Sequence, residues 1–264
     1  MKIYKAGKQG NLRSVTLFHA LARLGYEGLL IVSPEETFIS VGFSDTVPKI
    51  LRVDLCRDLG IPVIRRETGG GAVLLDKDQI FYQLIIKRGS PYLPFRVEDA
   101  CRKFSTPVIR TYKRLGIEVK YKPISDIVVK GSEKKISGQG AGDIGGSFVF
   151  VGNLLLGFNC SLMASLFNVP EESKKMLTSI LEENISWVER EIGIFPTLQK
   201  VEDILIEEFS QILPFDGEER LPSEVFEVAD KLKEELTSEE LLMEDTGKHH
   251  NVLKIREGVY FSVL

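Results

Sequence analysis

The chain has 264 residues, of which 43% are hydrophobic and 27% charged, the balance of a folded globular protein rather than a disordered one. That length allows one large domain, or one with a small annex, burying its core without disulfide or metal staples. Lys+Arg 34 against Asp+Glu 38 leaves a net charge of -4, which argues against a broad electrostatic grip on nucleic acid.

Apolar residues Val15, Leu17, Phe18, Leu21, Ala22 and Leu24 recur near helical spacing and predict a helix over 14–24. Two apolar runs follow at 28–32 and 38–43, read as strands with Ser33-Pro34-Glu35-Glu36 as the turn between them. A helix is expected over 47–59, closed by Gly60 with Pro62 beyond. Strands at 61–66, 72–75 and 80–87 come next, the first two flanking Thr68-Gly69-Gly70-Gly71. A long helical pattern over 97–115 ends at Gly116, and Pro107 inside it should kink or divide it.

Short strands are expected at 118–121, 126–129, 134–137 and 148–156, then helices at 162–167 and 198–213. Beyond Leu213 the composition shifts to a linker-like Pro214–Glu219 stretch and an acidic amphipathic helix over 222–236. Thr237 and Glu240 have capping-box spacing for one more short helix, and 251–264 reads as a hairpin turning at Glu257-Gly258. Long helices beside many short strands, without βαβ alternation, indicate an α+β sheet fold. The expected division is a main domain over 1–215 and a short extension, helix plus hairpin, over 216–264.

Cys56, Cys101 and Cys160 show no CxxC spacing and read as reduced thiols in a cytoplasmic protein. Only His19, His249 and His250 are available, too few for a histidine-rich zinc site. The opening MKIYKAGKQGNLR lacks a signal peptide's apolar core, and no apolar run reaches the roughly 18 residues of a membrane span.

The most unusual segment is Arg65-Arg66-Glu67-Thr68-Gly69-Gly70-Gly71-Ala72-Val73. Three glycines remove side chains where backbone approaches something closely, and their amides can face an anion with Arg66 beside them. A lone glycine triplet is more often a tight hairpin turn; the paired arginines tip the balance toward an anion site. A second segment joins Ser125-Asp126-Ile127-Val128-Val129 to Lys134-Lys135-Ile136-Ser137-Gly138. Alternation puts Lys135 and Ser137 on one strand face, where a lysine can hold an α-phosphate and Asp126 can orient it or help bind Mg²⁺. Lys134 reads as solvated.

Gly140-Ala141-Gly142-Asp143-Ile144-Gly145 matches the dinucleotide fingerprint in letters only, because an apolar β-type run follows it where a helix should start. It is expected to be a mobile glycine-rich loop. Cys101 and Cys56 read as core thiols; Cys160, near the candidate site, has no histidine close in sequence to activate it. Trp187 and Phe195 are assigned to packing.

From about Ser14 to Leu213 the chain resembles the lipoate–protein ligase family, within the group that includes biotin ligases and octanoyltransferases. R-R-x-T-G-G-G-A-V at 65–73 and S-D-I-V-V with K-K-I-S-G at 125–138 carry the resemblance, supported by 38–42 and 152–156. It implies a mixed, mostly antiparallel sheet flanked by helices. It also implies that Gly69, Gly70, Gly71 and Ala72 line the acyl chain and nucleotide, with Arg66, Gly71, Ala72, Val73, Leu74 and Lys135 at the phosphates. Lys135 would be the catalytic lysine, with Ser137 and Gly138 completing its motif.

The implied reaction uses ATP, Mg²⁺ and lipoate to form lipoyl-AMP. It then acylates a lysine on a lipoyl carrier domain of the 2-oxoacid dehydrogenase E2 or glycine-cleavage H-protein type. Leu75, Ser125 and Val151 stand where the family usually has His, Asn and His. The extension is shorter than the accessory domain of larger ligases, so it is either a remnant or complemented by a second polypeptide. Two other readings stay open: an acyl transferase working through a thioester at Cys160, and a non-catalytic protein that binds lipoate or nucleotide.

Overall fold

The structure, a computed structural model, describes residues 1–247 and 252–262. His249, His250 and the outer ends of the expected hairpin (251, 263–264) lie outside those residues.

The chain opens with β1 (Lys2–Gln9), α1 (Arg13–Leu24), β2 (Gly28–Pro34) and β3 (Phe38–Val41), then α2 (Val47–Ile50) and α3 (Val53–Asp58). Strands β4 (Val63–Arg65), β5 (Val73–Leu75) and β6 (Gln79–Lys87) precede α4 (Val97–Arg114). Four strands follow: β7 (Val119–Lys122), β8 (Asp126–Val129), β9 (Lys135–Ile144) and β10 (Ser147–Leu155). Then come α5 (Cys160–Leu166), α6 (Lys174–Asn184), α7 (Val188–Ile192), α8 (Leu198–Ser210), α9 (Ser223–Leu236) and α10 (Glu239–Met243). A hairpin, β11 (Val252–Arg256) and β12 (Val259–Ser262), ends the described chain.

The main sheet has seven strands in the order β1-β2-β6-β10-β9-β8-β7, parallel only between β1 and β2. Both its faces are covered, which explains why β6 reads as a continuous apolar run instead of alternating. Tyr82, Leu84, Phe148 and Phe150 pack with Phe104 of α4 and Phe209 of α8 on one side. Phe81, Ile85 and Val149 pack with Leu17 and Leu21 of α1 on the other, and Val225, Ala229 and Leu232 of α9 join that layer. A second sheet, β4-β3-β5, stands beside the first, so the glycine triplet does not turn a hairpin: its flanking strands lie on opposite sides of β3.

Several elements differ from their sequence patterns. The 47–59 helix is two short helices, because Leu51 is extended and bridges Phe167 while the Arg52 N–H donates to the Leu166 carbonyl at 2.9 Å. Helix α4 runs through Pro107 undivided; its buried apolar face outweighs the lost backbone bond. The glycine-rich segment over 140–144 is no mobile loop but part of β9, laddered against β10, and no helix follows it. The cap of α10 is Ser238, whose Oγ accepts from the Leu241 N–H, one residue later than the expected Thr237. Strand β1 and helices α6 and α7 carry weak periodicity and lie outside the expected elements.

Candidate active site

Arg66, the run 69–74, Lys135 and Gly138 all line one cavity, on the α1-facing side of the main sheet. Its floor is laid by strand register: Phe81 pairs with Asn153, Gln83 with Val151, and Val151 with Gly140. Directly paired residues share a face, so this row presents to one space. Leu75, Ser125 and Val151 line the same cavity, so all three departures from the family pattern fall at the site.

The glycine turn is held from beneath. Arg66 Nη1 donates to the Ser40 carbonyl at 2.9 Å, and Nη2 donates to the carbonyls of Gly69 (3.0 Å) and Gly71 (2.9 Å). The guanidinium therefore staples the turn before it offers anything to a ligand. Burial pushes its pKa down to about 10, with the charge of Asp45 opposing, so it stays cationic at neutral pH. Gly70 has φ +104, and a Cβ on Gly42 would fall 1.8 Å from the Gly70 oxygen, so backbone meets backbone there. Gly69 and Gly71 face open space instead.

Arg65, the other half of the arginine pair, is a core residue at 2% exposure. It donates to the carbonyls of Phe43 (3.0 Å), Asp45 (2.7 Å) and Leu241 (3.1 Å), tying the loop after β3 to α10. His19 fixes the same segment from α1. Its Nε2 accepts from the Glu67 N–H at 3.1 Å, so Nδ1 carries the proton donated to the Val15 carbonyl at 3.0 Å. Complete burial drives its pKa down to about 3, and the imidazole stays neutral. The R-R-x-T-G-G-G letters gave no sign of this histidine.

Lys135 lies 2.9 Å from Asp126 Oδ1, which is fully buried while the lysine side chain is 18% exposed. The register of β8 on β9 shifts between Ile127 and Val128, leaving Ile136 as the extra residue of a bulge. That shift defeats simple alternation: Lys135 reaches the cavity, whereas Ser137 turns into the core, 3.3 Å from the Tyr82 hydroxyl. A Cβ on Gly138 would meet Lys135 Nζ at 3.2 Å, so the absent side chain leaves room for the amine.

Asp126 does not line the cavity, and its Oδ2 accepts the Glu257 N–H at 2.6 Å. The carboxylate is spent on an ammonium and an amide, which does not fit a Mg²⁺ ligand. No cluster of three His, Cys, Asp or Glu suited to a metal occurs among the described residues.

The sequence pattern predicts the C-terminal hairpin, turning at Glu257-Gly258, but not its place at the cavity. Lys254 and Ile255 line the cavity, and Glu257 Oε1 accepts from the Ser125 N–H (3.2 Å) and Oγ (3.1 Å). Partners more than 120 positions apart leave no local signal. Cys160 is buried beside the cavity without lining it, and burial, then the Glu182 charge, pushes its thiol up to about 11. Cys56 and Cys101 are buried elsewhere. Among the described residues no helix is long and apolar enough to cross a membrane.

Residues 14–210 match the family described as Lipoyl protein ligase A/B catalytic domain. Octanoyltransferase LipM of Oceanobacillus iheyensis is 26% identical over 214 residues, covering 73% of this chain and 77% of its own. A bi-partite lipoate protein ligase from Thermoplasma acidophilum, solved in a study that includes its E2 lipoyl domain, superposes with a TM-score of 0.79 at 20% identity. That match covers 92% of this chain and 95% of the other. A lipoate-protein ligase A bound with ATP gives 0.73 at 19%, covering 92% and 99%. These folds share the mixed sheet flanked by helices, and the chain belongs to the lipoyl protein ligase A/B catalytic-domain family.

Proposed function

We propose that the protein activates lipoate, or a similar medium-chain acid, with ATP and transfers the acyl group to a lysine of a lipoyl carrier domain. The observation that carries this reading is the convergence of Lys135 and the side-chain-free glycine turn on one cavity that no cysteine among the described residues lines. In the first half-reaction a carboxylate oxygen attacks the α-phosphorus of ATP, and pyrophosphate leaves. Lys135 stabilises the charge that builds on the non-bridging phosphate oxygens, oriented by Asp126. In the second, the carrier amine attacks the acyl carbonyl, and AMP leaves with the bond electrons.

Phe81, Val151 and Leu75 line the cavity, and in this reading they give the acyl chain an apolar wall that excludes water. Mg²⁺ would travel on the phosphates of ATP without a ligand from Asp126. The ATP bound by one structural relative, and the lipoyl domain studied with another, agree with these substrates. A cytoplasmic location is part of the same proposal, as is the division into a catalytic body and an extension from 216.

The name of the Oceanobacillus relative favours a second reading, octanoyl transfer without ATP. Through a thioester it would need Cys160 as nucleophile, and a buried thiol with a pKa near 11 outside the cavity is poorly suited to that. The test is incubation with lipoate, ATP, Mg²⁺ and an apo lipoyl domain, with and without candidate partner chains, read by intact mass. An ATP-dependent gain of one lipoyl group is expected. Acylation from octanoyl carrier protein in the absence of ATP would favour the transferase.

A further inference from the structure

The C-terminal hairpin brings a second amine to the site. Lys254 lines the cavity that holds Lys135, and its side chain is 30% exposed. Its Nζ donates to Glu257 Oε1 at 2.5 Å and approaches Ser125 Oγ at 3.5 Å. An ammonium has three N–H donors, so one remains for a ligand. Hairpin and catalytic lysine are joined through one carboxylate: Asp126 pairs with Lys135 through Oδ1 and accepts the Glu257 backbone N–H through Oδ2.

The hairpin is seated firmly. Leu253, Ile255 and Phe261 are buried in the apolar cluster that also contains Val41 and Met163. Arg256 Nε donates to Asn184 Oδ1 at 2.8 Å, tying the hairpin to α6. Glu257 alone, through its amide and carboxylate, already latches the hairpin to Ser125 and Asp126. Attachment of the hairpin therefore does not require Lys254. Two lysines facing two carboxylates make a locally neutral circuit, and an entering anion can draw one ammonium off its carboxylate at small cost.

We propose that Lys254 is a substrate-binding residue that holds, with Lys135, the anionic head group in this cavity, a carboxylate or a phosphate, while Glu257 parks it in the free protein. The proposal deepens the ligase reading and rests on it. It makes the extension part of the binding site.

The test is calorimetric binding of lipoate, of neutral lipoamide and of ATP to the full chain and to Lys254→Met. The variant should lose about tenfold in affinity for lipoate or for ATP, with lipoamide binding unchanged. Lys254→Arg should recover most of the loss. A loss confined to lipoate identifies the carboxylate as the ligand; one confined to ATP identifies the phosphate. Lys254→Gln, which keeps a donor for Glu257 without the charge, answers the question should the Met variant fail to fold. Parent-like binding of all three ligands by a folded variant would overturn the proposal, as would an equal loss for lipoamide. A parent chain that binds neither lipoate nor ATP would overturn the ligase reading as well.

Discussion

The Lys135 ammonium sits 2.9 Å from a carboxylate, that of Asp126, which is itself fully buried and held on its other oxygen by the amide of Glu257. The catalytic candidate is thus aimed by a residue that faces no ligand, and that residue is aimed by the far end of the chain. The pair is asymmetric, because only the lysine reaches water. Lys135→Met strands a buried charge and should cost about 3 kcal/mol of stability, whereas Asp126→Asn should cost less. Combining the two should recover part of the loss. Urea midpoints of the three variants check this, and a Lys135→Met midpoint above that of Asp126→Asn would contradict it.

The glycine triplet separates packing from binding. Gly71 faces open space without a positive φ, so Gly71→Ala should leave stability within about 1 kcal/mol of the parent. Its methyl group would project toward ligand space and should weaken lipoate or ATP binding about tenfold. Gly42→Ala should do the reverse, losing about 2 kcal/mol or more by driving a Cβ into the Gly70 backbone. Thermal unfolding beside calorimetry distinguishes the two.

His19 gives a pH signature. Its folded pKa, near 3, lies below the unfolded value near 6.5, so the unfolded chain takes the proton first as pH falls. The stability this group contributes is complete above pH 6.5 and is lost from there down toward pH 3. Between pH 7 and pH 5 the loss should be about 2 kcal/mol, at about 1.4 kcal/mol per unit below pH 6.5. His19→Gln should flatten that stretch of the urea stability–pH curve; an unchanged slope would refute the assignment.

Cys160→Ala tests the nucleophile. The ligase reading predicts ATP-dependent acylation within about twofold of the parent, with a stability cost of about 1 kcal/mol for the lost sulfur. Incubation of the parent with octanoyl carrier protein should leave no hydroxylamine-labile mass on the chain.

Much of this arrangement was legible in the sequence. The R-R-x-T-G-G-G-A-V and K-K-I-S-G segments pointed to one site, and the structure brings Arg66, the glycines, Lys135 and Gly138 to one cavity. The illegible parts are those that local pattern cannot encode. The bulge at Ile136 breaks the two-residue period, so Ser137 and Lys135 part company although alternation joins them. Glycines at 140 and 142 suggested a loop because they lack side chains, but they are strand residues whose bareness lets the 67–69 backbone pack against β9. The roles of His19, Arg65 and Glu257 depend on contacts across the fold. Nothing within their own segments distinguishes them from ordinary core or surface residues.

The most direct test of the central claim is lipoyl-AMP formation, followed as pyrophosphate release from ATP, Mg²⁺ and lipoate, by the parent chain and by Lys135→Ala. Circular dichroism would confirm that the variant is folded. The account predicts release by the parent and a loss of at least about 100-fold in the variant. A folded Lys135→Ala chain that forms adenylate at the parent rate would contradict it.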